Sequence, residues 1–208
     1  MNKLVKILIA ITVIVFATVS CNVIKDVSDT LSNVSRLKFK LADVNNFALA
    51  GVKLDGKDQI NDFSITDGLK LTQAFASKRM PAKFILNVEA KNPNDGTGGS
   101  KKTSATLTSF DWKLYIDDKE TIAGNIEKAV TIPGTGQSTF IPLSIELDLY
   151  KFFKEKGYDD LIRLAMAIGG EKGSAARLTL DARPTVTTSL GPITYPGRIK
   201  IVDKEWKQ

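Results

Sequence analysis

Residues 82–94, AKFILNVEAKNPN, decide the fold. Phe84, Leu86, Val88 and Ala90 point one way, and Lys83, Ile85, Asn87, Glu89 and Lys91 point the other. A period of two marks a strand with one face on a core. The strand stops on Asn92-Pro93-Asn94. The residue before a proline is held extended, proline brings no amide to a ladder, and asparagine takes turn conformations readily. A soft loop, DGTGGSKKT, follows. A strand with one buried face needs a sheet around it and a layer to pack on, and the flanking sequence supplies both.

Upstream, residues 36–42 alternate Leu37, Phe39 and Leu41 against Lys38 and Lys40, which predicts a strand with a wet outer face. Residues 47–54 predict a second strand, with Gly51 at a bend or bulge. Residues 65–78 predict a helix capped by Thr66 or Asp67, with Leu69, Gln73 and Ala76 at helical spacing and Pro81 just beyond.

Downstream, residues 105–117 alternate Thr108, Phe110, Trp112, Leu114 and Ile116 against Ser109, Asp111, Lys113 and Tyr115. Asp117-Asp118-Lys119 turns the chain back into a partner over residues 121–129. Trp112 is expected to anchor the core. Pro133-Gly134 is a turn, and the next strand is expected to bury Phe140, Leu143, Ile145 and Leu147, with a slip in register near Pro142. Residues 148–156 and 158–169 read as helical, broken at Gly157. Residues 175–182 are a strand with Leu178 and Leu180 inward, which Pro184 ends or places at an edge. Residues 190–203 form a turn and a closing strand with Ile199 and Ile201 on one face. The sum is a mostly β protein, an antiparallel β-sandwich with two short helical insertions.

The N-terminus reads MNKLVKILIAITVIVFATVSC. Lys3 and Lys6 precede an uncharged apolar run from residue 7 to 19, shorter than the roughly 20 residues needed to span a bilayer as a helix. Small residues and then Cys21 follow, the layout of a secretory signal. The position of Cys21 resembles a bacterial lipoprotein signal, in which cleavage before the cysteine follows its diacylation. Ser20 fits that pattern, whereas Thr18 stands where such signals usually have leucine. The other readings are an uncleaved short anchor and an ordinary secretory signal. Lipidation of Cys21 implies attachment to a membrane of the cell envelope through acyl chains. Asn22 is not the aspartate that, by the same resemblance, retains lipoproteins in the inner membrane, so the outer membrane is expected in a Gram-negative host. Residues 22–35 space Val23, Val27, Leu31 and Val34 by four, four and three, as an amphipathic helix would. A polar tether with scattered valines reads equally well.

Composition narrows the chemistry. The 208 residues contain no histidine and one cysteine. That removes the commonest general base and zinc ligand, the Ser-His-Asp and Cys-His systems, and any internal disulfide. Net charge is +6, and loss of Lys3 and Lys6 with the leader leaves about +4. The lysines are scattered, without the basic stripe and interleaved aromatics of a nucleic-acid binder. The acidic pairs Asp117-Asp118 and Asp159-Asp160 sit at turns or helix starts, where aspartate caps and solubilises. Asn92 to Asp95 lacks the alternating spacing of a calcium loop, and GTGGSKK lacks that of a phosphate loop. No catalytic, cofactor or metal residue is expected.

An alternating apolar strand ending in Asn92, Pro93 and Asn94 resembles the type 2 late-embryogenesis-abundant (LEA) proteins, also described through the WHy domain. Pro133-Gly134 with Ile141-Pro142-Leu143, and Gly191 with Pro196, follow in the order of that family. The resemblance covers residues 36–203 and implies a fibronectin-III-like sandwich in which NPN is a strand-closing structural turn. It also implies a non-enzymatic role, protecting proteins or membrane during drying or other stress. An envelope module that binds a protein, glycan or lipid is the alternative. The expected organisation is a signal at 1–20, a lipidated tether at 21–35, the sandwich at 36–203 and a tail at 204–208.

Overall fold

The computed structural model describes residues 27–54, 56–57, 59–98, 101–169, 177–188, 190–203 and 207. Two antiparallel sheets pack face to face. The first has the order β2-β1-β3-β7, and the second β10-β8-β4-β5, with β6 also on β4 and β9 also on β8. The strands are β1 (Lys38–Leu49), β2 (Val52–Lys53), β3 (Pro81–Lys91), β4 (Ala105–Ile116), β5 (Lys119–Gly124), β6 (Val130–Ile132), β7 (Ser138–Asp148), β8 (Leu178–Thr188), β9 (Gly191–Thr194) and β10 (Ile199–Ile201). Helix α1 covers residues 27–35, and α2 (Ile65–Ala76), α3 (Leu149–Phe152) and α4 (Tyr158–Gly169) interrupt the strands. This is a β-sandwich with helical insertions.

The strand 82–94 lies at the centre of the first sheet. Ala82, Phe84, Leu86, Val88 and Ala90 are all buried, as their period requires. On one side β3 pairs with β1 and on the other with β7. Facing it, Leu107, Phe110, Trp112, Leu114 and Ile116 of β4 fill the core, with Leu178, Leu180, Ala182 and Val186 of β8. Gly124 in β5 lies flat on the Trp112 indole, where a Cβ would come within 2.4 Å of the ring. After β10 the chain crosses between sheets: the amide of Leu41 donates to the Val202 carbonyl at 3.0 Å, and that of Phe39 to the Lys207 carbonyl at 2.8 Å.

Several expectations are corrected. Residues 36–42 and 47–54 are not two strands. One strand, β1, runs from the first span as far as Leu49 in the second, with register shifts between Leu41 and Val44 and between Asn45 and Ala48, and Val52–Lys53 pairs back on it as β2. The bend at Gly51 is a two-residue hairpin, Ala50-Gly51, with both φ positive. In β4 a shift between Leu107 and Ser109 exposes Thr108 and turns Ala105 and Leu107 inward. In β7 the buried residue is Ile141, and Phe140 is 56% exposed. The pairing of β7 with β3 runs unbroken through Pro142. Pro184 does not end its strand, since β8 continues to Thr188.

Helix α2 is capped by Ser64, whose hydroxyl accepts from the Asp67 amide at 3.1 Å while Asp67 accepts from the Ser64 amide at 3.2 Å. That is a capping box, with Asp67 as its third residue and not its cap. Leu71 is the buried residue of α2, and Leu69 is 66% exposed. The last turn of α4 lies against β1, where a Cβ on Gly169 would come within 2.1 Å of the Phe47 ring.

Candidate functional site

The residues that close β3 form a buried polar cluster. Asn92 and Asn94 are the only buried polar or charged side chains among the described residues, 0% and 1% exposed. Such groups are costly in a sandwich unless hydrogen-bonded. The Asn92 side-chain amide donates to two carbonyls, Thr103 at 2.8 Å and Ile132 at 3.1 Å. Its Oδ1 accepts from both the backbone and the side-chain nitrogen of Asn94, at 3.1 and 2.8 Å. One asparagine therefore ties the end of β3 to the approach to β4 and to β6. Backbone bonds complete the knot: Thr103 donates to the Asn94 carbonyl at 3.0 Å, and Gly136 to the Asn92 carbonyl at 3.2 Å.

Asn94 reaches in the other direction. Its Nδ2 donates at 2.8 Å to the Asn33 carbonyl in the last turn of α1. Tyr195 supplies the matching contact: its hydroxyl donates to the Val34 carbonyl at 2.5 Å. The last carbonyls of a helix lack partners within it. Here side chains from the sandwich bind two of them, and the Leu37 amide also donates to the Val34 carbonyl at 3.2 Å. Burial pushes the Tyr195 phenol well above the usual tyrosine range, which keeps it a neutral donor.

Gly134 explains the Pro-Gly turn. A Cβ there would stand 2.4 Å from the Asn94 carbonyl oxygen and 2.5 Å from that of Thr103. Only glycine lets the β6–β7 turn close on the asparagine cluster. Beside the cluster a half-open cavity of about 260 Å³ is bordered by Thr30, Asn33, Ser104, Val186 and Thr188. Asn94 lines it, and the Asn94 Oδ1 is buried and accepts no hydrogen bond.

The other residues singled out from sequence are placed as follows. Cys21 and the leader lie outside the described residues. Asp117 and Asp118, both at positive φ, form the two-residue β4–β5 turn, and Asp117 takes a paired contact from Arg177, with Nε at 2.6 Å. Asp159 and Asp160 open α4, some distance along the chain from that turn. Asp95 bonds the Thr97 hydroxyl and amide, and these hold its carboxyl below the usual range. Residues 99–100 of the glycine-rich loop lie outside the described residues. Among the described residues no three acidic, cysteine or histidine side chains gather as a metal-binding group. Trp112 is a core residue, 4% exposed.

A second depression, of about 410 Å³, lies on the outer face of the second sheet between Tyr115, Asp118, Thr179, Asp181, Arg198 and Lys200. Arg198 bridges Asp111 at 2.8 Å and Asp181 at 3.2 Å. Alternation along β4 and β10 could locate this outer face, whereas nothing local to Tyr195 signals its bond to α1, 161 residues away.

No family model and no curated protein matches the chain. Two solved structures are similar to it. A protein from Archaeoglobus fulgidus is 12% identical, with 55% of this chain and 78% of that chain covered and a TM-score of 0.32. A solution structure of a protein assigned to the LEA class is 13% identical, with 94% of this chain and 88% of that chain covered and a TM-score of 0.35. Likeness at this level carries no argument about function, which has to rest on this chain's own residues.

Proposed function

We propose that this is a non-enzymatic, lipid-anchored protein of the cell envelope, of the LEA type 2 kind, which protects neighbouring proteins or membrane during drying or other stress. The observation that carries the reading is the Asn92-Pro93-Asn94 motif at the end of a central sandwich strand, with both asparagines buried. The sequence around Cys21 supports the anchor, because an apolar run with a basic start ends on the only cysteine of the chain. Two aspartate pairs that an enzyme would recruit are spent on a hairpin and on a helix start.

The test is an enzyme-protection assay through drying or freezing, with purified protein beside an inert protein of equal size. Greater recovery of the reporter enzyme is expected, and equal recovery sinks the protective reading. For the anchor, membrane fractionation of wild type is compared with Cys21→Ala. A variant that stays in the same membrane fraction removes lipidation as the cause. The second reading, a binding module, is favoured by the outer-face depression around Arg198. A pull-down with the acylated protein that retains no partner counts against it.

A further inference from the structure

We infer that the pole of the sandwich bearing Asn92–Asn94 is the face this protein lays against an anionic lipid bilayer. The inference rests on the anchored reading above and adds an orientation to it. A tether that swings freely would leave the domain unoriented. Here α1 is fixed to one pole, by Asn94 on the Asn33 carbonyl and Tyr195 on the Val34 carbonyl. Thr30 of the same helix borders the cavity with Ser104 and Thr188, so α1 crosses that pole from β3 toward β8.

The reach of the chain is short. Five residues separate Cys21 from Val27, and six Cα steps span at most about 20 Å. An acylated Cys21 therefore holds the start of α1 within about that distance of the bilayer. The opposite pole, where Pro81 pairs with Asp148, is eleven strand residues away along β3, about 36 Å.

The side chains at the tethered pole suit the interface. Val27 and Leu31, one turn apart on α1, are 36% and 50% exposed. Leu190, in the turn joining β8 to β9, is 50% exposed, and Thr188 at the start of that turn borders the same cavity. Lys101 and Lys102 are exposed in the loop that Thr103 ties to the Asn94 carbonyl. Apolar side chains flanked by lysines bind anionic lipid through both terms. Ile60, Ile65 and Leu69 are also exposed, but they stand before or on α2, which contacts β2 and leads into Pro81 at the opposite pole, so the orientation inferred here turns them from the bilayer.

The test uses the full chain in vesicles of phosphatidylethanolamine and phosphatidylglycerol. Leu31→Cys, Leu190→Cys and Ile65→Cys are each given a nitroxide, and collision with oxygen is compared with collision with an aqueous nickel chelate. The intact mass reports acylation of Cys21, and flotation reports membrane attachment. Labels at 31 and 190 are expected to show an oxygen-to-nickel ratio several-fold above that at 65. Lys101→Glu with Lys102→Glu lowers the ratio at 190. Acylated, floating protein whose labels at 31 and 190 read water, or whose label at 65 reads lipid, overturns the orientation and leaves the anchor standing. An unmodified Cys21 in protein that does not float sinks the anchor, and the orientation falls with it.

Discussion

At the residue scale, Asn92 and Tyr195 do different work with the same kind of bond. Asn92 is amide to two carbonyls and acceptor to Asn94, so no other side chain of its size fills all of its bonds. The Tyr195 hydroxyl makes one bond, to the Val34 carbonyl. Tyr195→Phe is expected to cost about 1 kcal/mol in urea unfolding at neutral pH, the net value of one hydrogen bond, because the Val34 carbonyl keeps the Leu37 amide as a donor at 3.2 Å. Asn92→Ala takes a side-chain donor from two carbonyls and an acceptor from Asn94, and should cost more. The Tyr195 loss also depends on pH. The folded phenol holds its proton above the usual value, whereas the unfolded one ionises near pH 10, about the ordinary tyrosine value. Its contribution is therefore constant below about pH 10 and falls as pH rises further. The stability gap between wild type and Tyr195→Phe should narrow above that pH. A gap that stays constant to pH 11.5, roughly 1.5 units above the ordinary value, would show that the phenol is not buried as described.

At the element scale, the prolines report on edges. A residue of an antiparallel strand sends its N–H and C=O to one side, and the side alternates. The β3–β7 register passes Pro142 without a shift, so its missing N–H faces away from β3, toward the open edge of the first sheet. Pro142 thereby blocks the middle of an eleven-residue edge strand against pairing with another chain. Pro142→Thr is expected to leave stability within about 0.5 kcal/mol and to raise self-association at high concentration, read by sedimentation. A large loss of stability with no association would place that nitrogen on the β3 side. The same ladder shows what the sequence could not reveal. Period-two reading located β3, β4 and the closing strands because their patterns are local. It placed a slip at Pro142, where none is needed, and missed the shifts in β1 and β4. A bulge reverses inside and outside at the next residue, and its cause is the partner strand. Leu41, Val44, Phe47 and Leu49 are all buried in one strand, a spacing that fits no single period. The candidate site was half legible for the same reason. The NPN turn is local, but the helix end it holds lies 61 residues upstream.

At the scale of the whole molecule, the question is where the domain begins. Sequence places the boundary at residue 36, with a tether before it. The structure packs residues 27–35 onto the sandwich, with Val34 7% exposed and its carbonyl bound by Tyr195. If α1 is part of the folded unit, a chain starting at Leu37 loses two side-chain hydrogen bonds and the burial of Val34. Water can replace the acceptors, so the penalty is the net value of the bonds plus the buried apolar area, about 2–4 kcal/mol together. That shortened chain should unfold at a lower urea concentration than one starting at Asn22, with an unchanged core. Its amide exchange should rise at Thr103 and Gly136, whose N–H groups are bound to the asparagine cluster, before it rises in β3. Equal midpoints, with protection unchanged at those amides, would make α1 a bystander and detach the anchor from the sandwich. Unequal midpoints make α1 and the NPN cluster one mechanical unit, so that in the anchored reading a pull on Cys21 acts through α1 on the end of the central strand.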